Sequence, residues 1–198
     1  MLRRRVRPPY DDPKNFSPHN AGKACPMPIT PQDHTALELA MFDYDKGDPK
    51  RIQHFVKVRA LARTIGVAEG LDEKTLHTLE AAAIVHDSGI HESERIYHDT
   101  SGKHQEDLGP DVARPLLEAA GYEPAEVDRV CWLVAHHHSY ANIHDTDLQI
   151  LVEADFLVNI YEDAMDRPEA RRRMAESAAA KVFKTKTGLA MLRDQFLS

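Results

Sequence analysis

Three separate stretches of this chain repeat apolar residues at helical spacing, and each sets an imidazole or a carboxylate on its apolar stripe. In the first, His54, Val58, Leu61 and Ile65 follow steps of four, three and four. Leu76, Leu79, Ala83 and His86 follow steps of three, four and three, as do Leu148, Leu151, Asp155 and Val158. Residues so spaced share one face of an α-helix. A polar group turned toward an apolar core is costly unless something satisfies it. The chain is therefore constrained to helices whose inward faces bring these groups to a common partner. No segment alternates with a period of two, so the predicted fold is all-α.

Punctuation residues divide the helices. A first helix is expected over 34–42. Asp48 caps the next, with Pro49 at its first position and an end near Gly66. Asp72 caps a third. Residues 89–106 read as a long polar connection, a type of segment that is often functional. Gly109-Pro110 is expected to start a helix with the stripe Val112, Leu116 and Leu117, stopped by Gly121. Pro124 starts another, with Val127, Val130, Cys131, Val134 and His137 or His138 inward. A charged, alanine-rich helix near 168–183 and a short one near 188–196 follow.

At 198 residues the chain suits one well-buried domain. Residues 1–31 are proline-rich and carry Arg3, Arg4, Arg5, Arg7, Lys14 and Lys23 against Asp11 and Asp12. They read as an extended or disordered basic arm, within which Met27 leaves an alternative start open, and 32–198 as the domain. The whole chain carries a net charge of −7, so the body beyond the arm is strongly acidic, which argues against a nucleic-acid surface there. Cys25 and Cys131 sit far apart in unlike contexts and read as free thiols in a reducing setting. No stretch approaches a membrane span, and no apolar run follows the amino-terminal arginines, so a cytoplasmic location is the default expectation.

The pair His86-Asp87 ends the apolar run Ala81-Ala82-Ala83-Ile84-Val85. Taken singly, His54 reads as a hydrogen-bonded core histidine, Asp87 as an exposed helix end and Asp155 as a capping aspartate. Their coincidence on three inward stripes points instead to a divalent cation. The order His54, His86-Asp87, Asp155 resembles the HD-domain superfamily of metal-dependent phosphohydrolases. Within about 50–165, the runs Ser101-Gly102-Lys103, Gly109-Pro110, His136-His137-His138 and Leu151-Val152-Glu153-Ala154-Asp155-Phe156-Leu157-Val158 are similar to small, stand-alone bacterial HD proteins.

That resemblance implies a single helical HD-domain bundle in which His54, His86, Asp87 and Asp155 hold one divalent metal, drawn from Mn, Fe, Co, Ni or Mg. It implies cleavage of a phosphoester of a small metabolite, with a nucleotide as the first candidate. His136 and His137 match by position the His-His pair that serves a second metal in two-metal members. Many relatives have a histidine where this chain has Gln105, and the neighbouring His104 substitutes only if the backbone there is not helical, since one helical residue is a turn of about 100°. A second ion, or a phosphate contact by these histidines, stays open.

Two imidazoles and two carboxylates leave a cation with open positions for water and substrate oxygen. Asp87 is expected to orient the water besides ligating, with Glu92 or His91 as general acid or base. Arg95 and Lys103 are candidate phosphate-binding cations beside Ser101-Gly102, or else plain solvated residues. Two other readings remain. An HD-type di-iron oxygenase needs six ligands, and Gln105 weighs against it. A catalytically silent nucleotide sensor finds support in Ile90, where relatives often carry a lysine or an acidic residue. The expected partner is a small phosphorylated molecule, with neither nucleic acid nor membrane, and homo-oligomerisation is left open.

Overall fold

The computed structural model describes residues 33–198; the arm expected over 1–31, with Cys25, lies outside the described residues. Among them the chain forms nine α-helices and no strand. These are α1 (Thr35–Tyr44), α2 (Pro49–Ala68), α3 (Glu73–Val85), α4 (Ile90–Tyr97), α5 (Gly102–Ala119), α6 (Pro124–Val134), α7 (Thr146–Asp163), α8 (Pro168–Lys181) and α9 (Lys186–Phe196). The all-α expectation holds.

Helices α3 and α7 form the centre. Every residue of α3 from Thr78 to Val85 is buried, as is every residue of α7 from Asp147 to Asp155. A helix apolar on all sides must be surrounded, which is why the run Ala81–Val85 is followed by no polar face. Helix α2 packs on both α3 and α7, α6 lies on α3, α5 lies on α6, and α8 and α9 cover α7.

Caps form where the sequence places them. The Asp48 carboxylate accepts from Arg51 N at 3.1 Å, and that of Asp72 accepts from Thr75 N at 2.9 Å. Helix α2 runs past Gly66 to Ala68, and the chain turns at Gly70, whose φ of +80° suits glycine.

Two expectations are corrected. The 89–106 connection is largely helical: α4 spans Ile90–Tyr97 and α5 begins at Gly102. Ser93 is the buried residue of α4, whose surface is occupied by ion pairs, so no apolar stripe marks it. Gly109-Pro110 lies inside α5 rather than at its start, because Ser101 caps that helix through His104 N. Gly109 is needed there for close packing: a Cβ on it would meet Val134 Cγ1 at 2.6 Å.

Two buried polar groups brace the bundle. The Glu153 carboxylate of α7 accepts from Gln149 Nε2 at 2.8 Å, Lys184 N at 2.6 Å, Thr185 N at 2.9 Å and the Thr185 hydroxyl. It thereby anchors the start of α9. Glu153→Ala strands several buried donors and is expected to lower unfolding free energy by about 3 kcal/mol, read as a reduced urea midpoint.

His34, before α1, is 2% exposed, shares a 2.5 Å hydrogen bond with the Tyr122 hydroxyl and stacks on His77. Burial, with His77 and Arg59 nearby, lowers its pKa from 6.5 to about 3. The neutral ring is thus the folded form. Its contribution to stability is complete above pH 6.5 and is lost as pH falls from there toward 3. Urea titrations across that range should show a shallower acid decline in His34→Phe than in the parent chain.

Candidate metal centre

The centre is built where α3 stops. His86 follows its last residue, and Ser88 N and Ile90 N close a turn on Val85 O and Asp87 O, each at 3.0 Å. Three contacts fix that turn. Tyr44 donates its hydroxyl to Ser88 O at 2.9 Å, Ser88 donates its own to Gly109 O at 3.2 Å, and a Cβ on Gly89 would meet Gln105 O at 2.7 Å. Helix α5 therefore lies hard against the turn and aims Asp87 inward.

His54 from α2, His86 and Asp87 from this turn, and Asp155 from α7 are brought together. His54 Nε2 lies 3.2 Å from His86 Nε2, 3.1 Å from Asp155 Oδ1 and 3.5 Å from Asp87 Oδ2. His86 Nε2 lies 3.4 Å from Asp87 Oδ2 and 3.6 Å from Asp155 Oδ1. Spacings of about 3 Å suit neighbouring donors around an ion bound at about 2.1 Å.

The opposite ring atoms decide what these nitrogens can be. His86 Nδ1 donates to Ala83 O at 2.9 Å, and His54 Nδ1 donates to Glu162 Oε2 at 3.1 Å. In a neutral imidazole whose Nδ1 carries the proton, Nε2 is a bare lone pair. Two such lone pairs and two carboxylates then face one another, an arrangement of acceptors alone. Only positive charge between them, as protons or as a cation, relieves it.

A second group adjoins the first. Ligand atoms of Asp87, His137 and His138 lie within 4.8 Å of one another, as do those of His54, His86 and Asp87. Asp87 turns Oδ2 toward His54 and His86 and Oδ1 toward His137 Nε2, 3.5 Å away. His137 is fully buried, and its Nδ1 donates to Val134 O at 2.7 Å. Its Nε2 has no hydrogen-bond partner. An orphaned buried nitrogen aimed at a carboxylate suits a ligand waiting for a cation. From α5, Glu106 Oε1 accepts from His138 N at 3.1 Å and Ser139 Oγ at 2.9 Å and so fixes this turn.

Electrostatics follow the same geometry. Burial alone would lower the His54 pKa, but hydrogen bonds to Asp155 and Glu162 outweigh it and raise the value to about 9. Burial acts likewise on His86, and Asp87 and Asp155 override it to hold the ring well above its ordinary value. Burial would raise Asp87, yet His86 and His137 hold it well below the usual carboxylate range. Burial and the neighbouring His137 push His138 down to about 4, leaving it neutral.

The cluster opens into a cleft of about 700 Å³. Asp87, His54 and His138 line it beside Lys50, Arg51, Gln105, Tyr140, Asn159 and a wall from α8. Arg51 is held by Asp48 Oδ2 and Glu94 Oε1, both at 2.7 Å, whereas no carboxylate among the described residues pairs with Lys50 or Lys181.

Several anticipated residues lie elsewhere. The backbone at His104 is helical, so its ring turns away from the centre, 2.9 Å from Asp99 Oδ1 and stacked on Tyr97. Gln105 takes the inward place and meets His138 Nε2 at 3.1 Å. His136 stacks outside on Trp132 and pairs with that residue's carbonyl at 2.6 Å. Glu92 and Arg95 bind each other on α4, and Lys103 binds Asp107. His91 pairs with Asp45 at 3.0 Å. His104, His136, Glu92, Arg95, Lys103 and His91 do not line the cleft.

His138, Asn159 and Glu162 were not anticipated. Asn159, which donates to Asp155 Oδ1 at 2.8 Å, and Glu162 follow Asp155 by four and seven residues. That spacing was the legible signal. Lys50 and Arg51 carried a similar one, lying a turn before His54.

A family model described as HD domain matches residues 51–179. No curated protein and no solved structure matches the chain. No described helix is long and apolar enough to cross a membrane.

Because His54 binds a proton up to about pH 9, a cation must displace it. Calorimetric titration of metal-free protein with Mn²⁺ is expected to show proton release at pH 7. The apparent affinity should rise about tenfold per pH unit for each proton displaced.

Proposed function

The chain belongs to the HD-domain family, and from that membership we propose that it is a metal-dependent phosphohydrolase acting on a small phosphorylated metabolite, a nucleotide being the first candidate. One observation carries the reading: imidazole nitrogens and carboxylates from three segments converge so closely that protons or a cation must neutralise the carboxylates, beside His137 Nε2, which has no hydrogen-bond partner among the described residues. His54, His86, Asp87 and Asp155 hold one divalent ion, and Asp87, His137 and His138 are the donors for a second.

Such an ion supplies a water of near-neutral pKa and draws charge from the phosphoryl oxygens in the transition state. The chain supplies the rest. Asp87 keeps a quarter of its side chain accessible and faces the cleft, so its carboxylate is placed to orient the attacking water. Asn159 steadies Asp155 and Glu162 steadies His54, each fixing a ligand from behind. His138, neutral between Gln105 Oε1 and the Tyr140 hydroxyl, sits where a phosphoryl oxygen enters. Lys50 and Lys181 replace Arg95 and Lys103 as the cations available to substrate phosphate.

A second reading has its own support. With His138 counted, the two groups offer six donors, the number that a di-iron oxygenase needs. Elemental analysis separates the two readings. Phosphate release from nucleotides or sugar phosphates with Mn²⁺ or Mg²⁺ supports hydrolysis. Two irons per chain with oxygen consumption and no phosphate release would overturn it.

Asp87→Ala removes a donor shared by both groups from the end of a helix. It is expected to lower turnover by at least about a thousandfold, the scale of removing a group that acts in the transition state, with an unchanged helical circular dichroism spectrum. Retained activity at full metal occupancy would refute the role.

A further inference from the structure

Part of the cleft is a groove between two helices, each presenting one stripe. Helix α7 contributes Phe156, Asn159, Ile160 and Asp163; α8 contributes Met174, Ser177, Ala178 and Lys181. Both sets follow steps of three, one and three, one face of a helix. The phosphoryl chemistry above uses almost none of these side chains.

The groove has a definite character. Phe156, Ile160, Met174 and Ala178 make its floor apolar, and Ser177, an exposed small residue, leaves the α8 side open. A sugar phosphate would leave that floor wet. Lys181 and Lys50 line the cleft, neither paired with a carboxylate among the described residues, while Asp163 supplies one negative charge beside them. Arg51, also in the cleft, is neutralised by Asp48 and Glu94. The cations available to a ligand thus exceed what the single scissile phosphate, held at the metal, requires.

We infer that Met174, Ser177 and Lys181 of α8 form the specificity wall of this enzyme, and that the wall binds the organic part of a substrate carrying a second negative group. This rests on the phosphohydrolase reading above. The fitting class is a phosphorylated molecule with a flat, apolar-faced body and a further phosphate; a nucleoside diphosphate is the simplest form, water breaking its terminal phosphoanhydride to leave the nucleoside monophosphate and inorganic phosphate. The body lies between Phe156 and Met174, and Lys181 pairs with the phosphate that is not at the metal.

The test uses the metal-loaded full chain and three probes: ADP, AMP and glycerol 3-phosphate. Ser177→Leu pushes a branched side chain into the groove from an exposed helical position. It is expected to lower kcat/KM for ADP and AMP at least about tenfold and to spare glycerol 3-phosphate, whose retained turnover also reports an intact fold. Lys181→Ala is expected to raise KM for ADP about fivefold and to raise that for AMP by less. Equal losses on all three probes, or no loss on any, would overturn the wall. Calorimetric binding of ADP to the parent and both variants provides a readout independent of turnover. If no probe releases phosphate but ADP binds and both variants weaken it, the hydrolase reading fails and the wall stands. If ADP does not bind the parent chain, the wall fails whatever the turnover.

Discussion

Everything in this fold is arranged around a cluster of hydrogen-bond acceptors that cannot satisfy one another. His54 Nε2 and His86 Nε2 lie 3.2 Å apart, and each is 3.1 to 3.6 Å from Asp87 Oδ2 and Asp155 Oδ1, at the largely buried base of the cleft. The Nδ1 atoms are committed to Glu162 and to the Ala83 carbonyl. A buried carboxylate without a counter-charge costs several kcal/mol, so the cluster must hold positive charge at all times. Without metal it holds protons, which is why both histidines titrate high while both aspartates titrate low. A cation offers the same neutralisation with defined geometry. Protonation and metal binding are thus competing solutions of one electrostatic problem.

The helices around the cluster keep these acceptors from relaxing apart. Two of the three ligating segments are the end of α3 and the middle of α7, whose neighbouring residues are buried on all sides. Rotating either helix to separate the charges would expose apolar surface and bury polar surface, so packing holds the repulsive geometry in place. The turn at 86–89 adds a second restraint. Gly89 sits against the α5 backbone, with no room for a methyl group, and Tyr44 and Gly109 hold Ser88 from both sides. Glu106 does the same for the turn that carries His137 and His138.

How much of this was legible depends on which signal each residue carried. His54, His86 and Asp155 were readable because helical period is local: a polar residue on an apolar stripe is visible within eleven residues of sequence. Asp48, Asp72 and Pro49 were readable because cap chemistry is local too. Helix α4 was not, since its eight residues make ion pairs with one another and with Arg51 instead of showing a stripe. Gly109-Pro110 misled for a related reason. The pair looks like a helix start, but the chain needs glycine there to pass Val134, and the true cap, Ser101, lies eight residues earlier. The phosphate-binding cations could not be read from nearness in sequence. Arg95 and Lys103 are close to His86 along the chain, yet carboxylates on their own helices capture them. Lys181 is far along the chain and lines the cleft.

That last contrast separates two kinds of constraint in one site. The ligands for the ion come from segments whose register is fixed by core burial, and a change of one position would rotate a ligand away, as it does for His104 beside Gln105. The wall opposite comes from α8, whose core anchorage is Ala175 and Ala178 and whose remaining surface is largely charged and exposed. Substitutions at its exposed cleft-facing positions, Ser177 and Lys181, leave the buried stretches of α3 and α7 in place and so leave the electrostatic problem, and its solution by a cation, unchanged. Chemistry is therefore tied to the core and selectivity to the periphery, because only the peripheral helix can change its side chains without disturbing the packing that holds the acceptors together.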